Sequence, residues 1–91
     1  MTSSNDTSMR SAEVVATEMG DLLVRSPLAP GEDFFLSGGD SLRAVELISR
    51  LVARFGADEE SADRLRAALL LAVFDEATPA ALAQILDTEL A

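Results

Sequence analysis

Apolar residues recur along this chain at spacings of three and four in four stretches, set apart by segments rich in glycine, proline or acidic residues. The first stretch runs from Ser11, where Ala12, Val15, Met19, Leu22 and Leu23 predict a helix to about Val24. Gly20 lies within it and weakens a helix by roughly 1 kcal/mol. Met19 reads as core filler. Residues 1–10 are mainly Ser, Thr, Asn and Asp with little to bury, so a mobile tail is expected ahead of a single domain over 11–91.

Residues 25–40 hold Pro27, Pro30, Gly31, Gly38 and Gly39, the composition of a long loop. Leu28, Phe34, Phe35 and Leu36 are expected to pin that loop to the core, with a short helical turn near Glu32–Leu36. A second helix is predicted from Ser41 to about Phe55. Ala44, Leu47, Ile48, Leu51, Val52 and Phe55 fall on its core face, and Arg43, Arg50 and Arg54 lie opposite. Leu42, Val45 and Ser49 form a stripe on its flank; Val45 either edges the core or belongs to an exposed strip. The acidic residues Asp58, Glu59, Glu60 and Asp63 read as a dipole-favoured helix start rather than a cation site. Leu65, Ala68, Leu69, Ala72 and Val73 then predict a third helix over roughly 61–75. Leu70, Leu71 and Phe74 make it apolar nearly all round, which implies burial on more than one side. Thr78 followed by Pro79 is an N-cap and first-position pair, and Leu82, Ile85, Leu86 and Leu90 carry a fourth helix. With no strand pattern and no internal repeat, the fold class is an all-α four-helix bundle with a long loop between its first two helices.

Composition narrows the chemistry. Ninety-one residues that are 48% hydrophobic suffice for one core, although only four Phe supply aromatic rings. There is no cysteine, so no disulfide, thiolate metal site or thiol nucleophile. There is no histidine, which removes the usual general base and the usual nitrogen ligand for zinc. All seven basic residues are arginine, so a Ser-Lys pair and a P-loop lysine are excluded as well. The net charge of −9 argues against nucleic acid and anionic membranes and suits basic partner surfaces. No apolar run approaches a membrane span and the first residues do not read as a signal peptide, so the expectation is cytoplasmic.

One stretch carries chemistry: Phe34-Phe35-Leu36-Ser37-Gly38-Gly39-Asp40-Ser41-Leu42. Gly38 and Gly39 end the loop and leave room for a close approach to the backbone. Asp40 stands where an N-cap belongs, and Ser41 follows at the first helical position. A hydroxyl there sits beside backbone N–H groups that lack partners within the helix, in a field that favours anions such as phosphate. Gly39-Asp40-Ser41-Leu42-Arg43 is not a Gly-x-Ser-x-Gly elbow, and without histidine no Ser-His-Asp triad can form. No catalytic residue and no metal ligand is therefore assigned.

This stretch resembles the 4′-phosphopantetheine attachment motif of carrier proteins, above all the peptidyl carriers of nonribosomal peptide synthesis. The resemblance extends from about Val14 to Leu90. It implies that Ser41 is the attachment residue, that Gly38, Gly39 and Asp40 form the supporting loop, and that Leu42, Val45 and Ser49 dock partners. Ser37 stands where the family usually has Leu. Phe74-Asp75-Glu76-Ala77-Thr78 resembles a Phe-Glu-x-Pro-Thr ending, with Ala77 in place of Pro. The third helix is longer than is usual in the family. Carriers for fatty acids have a strongly acidic second helix, whereas this one has three Arg and a single Glu, which tilts the resemblance to the peptidyl type. Asp40-Ser41-Leu42 followed by Val45-Glu46-Leu47 also occurs in acyl carriers of polyketide or fatty acid type.

The expectation is thus a free-standing, monomeric carrier of natural-product (antibiotic) biosynthesis, not itself an enzyme. Its implied cofactor is 4′-phosphopantetheine, taken from coenzyme A. Its implied partners are a phosphopantetheinyl transferase, an adenylating or loading enzyme, and condensation or tailoring enzymes. An unmodified helical adaptor, in which Ser41 only starts a helix, is the alternative of a different class.

Overall fold

A computed structural model describes residues 3–90, with side chains from residue 10 onward. Four helices follow one another: α1 (Ser3–Leu23), α2 (Ser41–Phe55), α3 (Glu59–Asp75) and α4 (Pro79–Leu90). α1 packs on α4 and α2, and α3 packs on α2 and α4. The three later helices begin within about two residues of where the pattern places them. α1 differs: it begins at Ser3, so residues 3–10 continue the helix where the sequence predicts a mobile tail. Extending an existing helix gains one hydrogen bond for each residue fixed, without a new nucleation cost, so an apolar pattern is not needed to prolong it. Residues 1 and 2 of that expected tail lie outside the described residues.

Phe34 lies at the centre of the core, fully buried with Met19, Leu47, Ile48, Leu51, Leu65, Leu69, Leu82 and Leu86. A loop residue therefore occupies the place a helix would otherwise fill. The loop reaches it through backbone pairing with the helices it crosses. Leu28 N–H donates to the Ala16 carbonyl of α1 at 3.4 Å, and Phe34 N–H donates to the Ala77 carbonyl at 2.8 Å. The Pro30 carbonyl accepts from Ala80 N–H at 3.0 Å, which satisfies a donor in the first turn of α4. Arg25 and Glu32 close the loop with an ion pair at 2.8 Å.

Asp33 caps a single helical turn at 34–38, two residues later than the pattern suggests, accepting from the N–H groups of Phe35 (2.8 Å) and Leu36 (3.0 Å). That turn swings Leu36 outward, so it is 90% exposed and does not pin the loop; Phe34 and Leu28 do. α3 is a second correction. Leu65, Leu69 and Val73 are buried, but Leu71 and Phe74 are 79% and 57% exposed. Among the described residues the main packing partners of α3 are α2 and α4, and Leu71 and Phe74 stand on the part of its surface that they leave exposed. Buried Ser11 donates to Asp87 at 3.0 Å, joining α1 to α4. Glu18, mostly buried, holds Arg50 (3.3 Å) and Arg54 (3.7 Å) of α2 against α1. No helix among the described residues is long and apolar enough to cross a membrane.

Candidate functional site

The N-terminal mouth of α2 is built by the loop that precedes it. The Phe34 carbonyl accepts from both Ser37 N–H (3.2 Å) and Gly39 N–H (3.0 Å), folding the chain back on the buried ring. Gly38 turns with φ 117°, a conformation L side chains rarely adopt. Gly39 then passes directly against Phe34: a Cβ there would lie 2.9 Å from the Phe34 carbonyl oxygen and closer still to its ring. Sequence requires glycine at these two positions for different reasons, torsion at the first and space at the second.

Asp40 follows with extended backbone (φ −140°), and its Oδ1 accepts from Arg43 N–H at 2.8 Å, so it is the N-cap of α2. Its Oδ2 meets the Arg43 guanidinium at 3.3 Å. Ser41, the first helical residue, is exposed. Asp40 has taken the N–H of Arg43; those of Ser41 and Leu42 have no carbonyl to accept them within the helix. The mouth thus presents one hydroxyl, two outward N–H groups and the positive end of the helix dipole.

Beyond Ser41, the flank of α2 is apolar and uncovered: Leu42 is 80% exposed, Val45 48%, and Ser49 lies exposed one turn on. Val45 therefore belongs to the exposed strip rather than the core edge. Leu71 and Phe74 of α3 are exposed where the sequence pattern suggested burial, while Phe35 packs partly buried against the core. Phe35 stacks on Phe74 with ring centroids 5.8 Å apart, and meets Phe34 edge-on at 5.7 Å. Leu71 is one turn before Phe74 on α3. The signal that could have found them is an excess: α3 has more apolar residues than one buried face can hold.

Chemistry internal to the chain is sparse. Among the described residues no His, Cys, Asp or Glu group is placed to hold a metal ion. Asp58 is the N-cap of α3, accepting from Ser61 N–H at 2.8 Å, so the acidic cluster starts a helix. A cavity of about 460 Å³ between α1, the loop and α4 is lined by Ala12, Ala16, Leu28, Pro30 and Pro79 among others, and by none of residues 38–49. Ser41 stands exposed on the surface.

Residues 12–86 match the family described as the phosphopantetheine attachment site. The chain belongs to that family. It is a phosphopantetheine-bearing carrier protein, and the helical bundle it forms is the carrier fold. No curated protein and no solved structure gives a significant match. The cofactor of the family is 4′-phosphopantetheine, held covalently. The mouth of α2 fits such a group: the Ser41 hydroxyl is open to a large donor, a Cβ placed on Gly38 would meet nothing within 4 Å, and the outward N–H groups suit an anion.

Proposed function

We propose that Ser41 carries the arm and that the protein is a peptidyl or aminoacyl carrier acting with cytoplasmic biosynthetic enzymes. The observation that carries this is the position of Ser41: an exposed hydroxyl at the first residue of α2, behind Gly38-Gly39 and the Asp40 cap. Ser41 Oγ would attack the phosphorus of coenzyme A that bears pantetheine. The Oγ–P bond forms and the pyrophosphate P–O bond breaks, its electron pair leaving with the adenosine bisphosphate half. The hydroxyl proton passes to a base of the transferase, because this chain has neither His nor Lys to take it. When bound, the arm supplies a thiol that holds cargo as a thioester. Gly38, Gly39 and Asp40 hold the mouth in shape, and Leu42, Val45 and Ser49 give partners an apolar strip to grip. The chain itself contributes positioning rather than catalysis.

The peptidyl reading over the acyl one rests on α2, whose charged residues are Arg43, Arg50 and Arg54 against one acid, Glu46. A transferase or loading enzyme that reads a strongly acidic helix would find little to hold here. The acyl-carrier reading draws on Asp40-Ser41-Leu42 with Val45-Glu46-Leu47, and loading assays with aminoacyl and acyl donors separate the two.

Intact mass after incubation with coenzyme A and a promiscuous phosphopantetheinyl transferase tests the attachment. Wild type should gain one phosphopantetheine mass and Ser41→Ala none, with the fold unchanged. Addition at another serine, or to neither protein, overturns the assignment of Ser41; the latter result favours an unmodified adaptor.

A further inference from the structure

Most of the arginines with described ion pairs are spent on structure. Arg25 holds the loop through Glu32, and Arg50 and Arg54 tie α2 to α1 through Glu18. Arg64 and Arg66 pair with Glu60 and Asp63 on their own helix. Arg43 is different. Among the described residues its ion pair is with Asp40, the residue bonded directly to Ser41, a single 3.3 Å approach between half-exposed groups. Helical side chains lean toward the N-terminus, which brings the Arg43 guanidinium back over the mouth of α2 rather than along its outer face.

Attaching the arm places a phosphodiester monoanion on Ser41, beside the Asp40 carboxylate. The helix dipole favours an anion at this end, but two anions on adjacent residues repel. Asp40 cannot withdraw, because its Oδ1 caps the helix through Arg43 N–H. A cation that can hold both anions is needed, and guanidinium offers five donors in a fork suited to carboxylate and phosphate together.

We propose that Arg43 is a positioning residue for the modified state: its guanidinium, held by Asp40 before modification, bridges Asp40 and the phosphodiester on Ser41 afterwards, restraining the root of the arm. This rests on Ser41 being the attachment residue. Arg43 then balances the charge that modification adds, and it orients the first bonds of the arm without touching the thiol.

The test compares the change in Tm on modification in wild type, Arg43→Gln and Arg43→Lys, each converted with coenzyme A and a transferase and verified by intact mass. Taking the difference within each variant cancels the Asp40 pair that Arg43→Gln loses before modification. At low salt Arg43→Gln should lose roughly 2–5 °C more than wild type on gaining the arm, with Arg43→Lys between them. Near 1 M salt, where the screening length is about 3 Å, that gap should close. The phosphorus NMR resonance of the phosphodiester should also shift between wild type and Arg43→Gln. Equal changes in Tm at low salt with an unmoved phosphorus resonance overturn the proposal. If Arg43→Gln takes no arm while wild type is fully converted, the proposal fails and Arg43 belongs to transferase recognition instead. If wild type takes no arm, or takes it at another serine, the assignment of Ser41 fails, and the role of Arg43 with it.

Discussion

Gly39 and Phe34 are in such close contact that only glycine fits: a Cβ at position 39 would stand 2.5 Å from Phe34 Cδ2 and 2.9 Å from its carbonyl oxygen. Phe34 is fully buried among side chains of all four helices' core, so its ring has nowhere to retreat, and the carbonyl is fixed by its bonds to Ser37 and Gly39. The residue that centres the core is therefore also the one that sets where α2 begins. Gly39→Ala should cost about 1–3 kcal/mol by overpacking and should slow modification of the folded protein, because Ser41 is two residues away. Gly38→Ala meets no atoms within 4 Å and suffers only from φ 117°, a backbone cost of roughly 1–3 kcal/mol. Urea denaturation with a transferase assay on each variant checks both. Unchanged stability in Gly39→Ala would show that the loop relaxes away from Phe34.

Much of this was legible in the sequence. The spacing Ala44, Leu47, Ile48, Leu51, Val52 and Phe55 named the core face of α2; the first five are buried and Phe55 packs partly buried against the core, because one amphipathic face leaves no choice of register. Thr78-Pro79 marked the start of α4, where Thr78 Oγ1 accepts from Ala81 N–H at 3.2 Å. What escaped depends on tertiary neighbours. Leu36, Leu71 and Phe74 are apolar yet exposed, and periodicity cannot say on which side of a helix or turn another element will lie. Gly20 looked like a flaw in α1, but a Cβ there would meet the Arg25 and Ser26 carbonyl oxygens at 2.8 Å. The chain folds back over that glycine, a contact no local pattern announces.

The end of α1 provides a stability prediction. Arg25 N–H returns to the Gly20 carbonyl at 2.9 Å and Val24 N–H to that of Asp21 at 3.3 Å, a paired closure of the last turn. It requires a left-handed residue, and the residue there is Val24 at φ 56°. A β-branched side chain in that region costs roughly 1–2 kcal/mol, and Val24 is almost wholly exposed, so packing returns nothing for it. Val24→Gly relieves the strain but enlarges unfolded-state entropy by about 0.4–1 kcal/mol. The net expectation is a gain of about 0.5–1 kcal/mol by urea denaturation, with modification at Ser41 unaffected. A loss of stability would mean that α1 ends otherwise.

Acid should weaken the start of α3 in a defined direction. The Asp58 carboxyl is held below its ordinary value of 3.8, first by the backbone N–H of Ser61, then by the Ser61 hydroxyl. A lowered folded-state pKa means the ionised form is favoured by folding. Its stabilisation is complete above the ordinary value and disappears as pH falls through the lower, folded one. Glu32 behaves alike, lowered from 4.5 chiefly by its hydrogen bond with Arg25. Stability followed from pH 6 to about pH 2 should decline most steeply below about pH 4.5. Asp58→Asn keeps a cap but not a titrating one, so its decline should be shallower; a slope equal to that of wild type would deny Asp58 this role.

The apolar flank of α2 makes the sharpest separation between docking and folding. Leu42 follows Ser41 directly and is 80% exposed, whereas Ile48, on the same helix, is 1% exposed. Truncating Leu42 removes almost no buried area, so Leu42→Ala should shift stability by no more than about 0.5 kcal/mol. In a complex the same side chain would be covered, and losing a buried interface contact costs on the order of 1–3 kcal/mol. Phosphopantetheinylation or cargo loading of Leu42→Ala should therefore slow several-fold, mainly through a raised KM for the carrier. Ile48→Ala should do the reverse. It opens a cavity in the core cluster to which Ile48 belongs, costing roughly 2–5 kcal/mol, while the fraction that remains folded is modified at the wild-type rate. The decisive outcome is the crossed one: were Leu42→Ala to unfold the protein while its folded fraction accepted the arm normally, Leu42 would be a structural residue and the strip would not be a docking face.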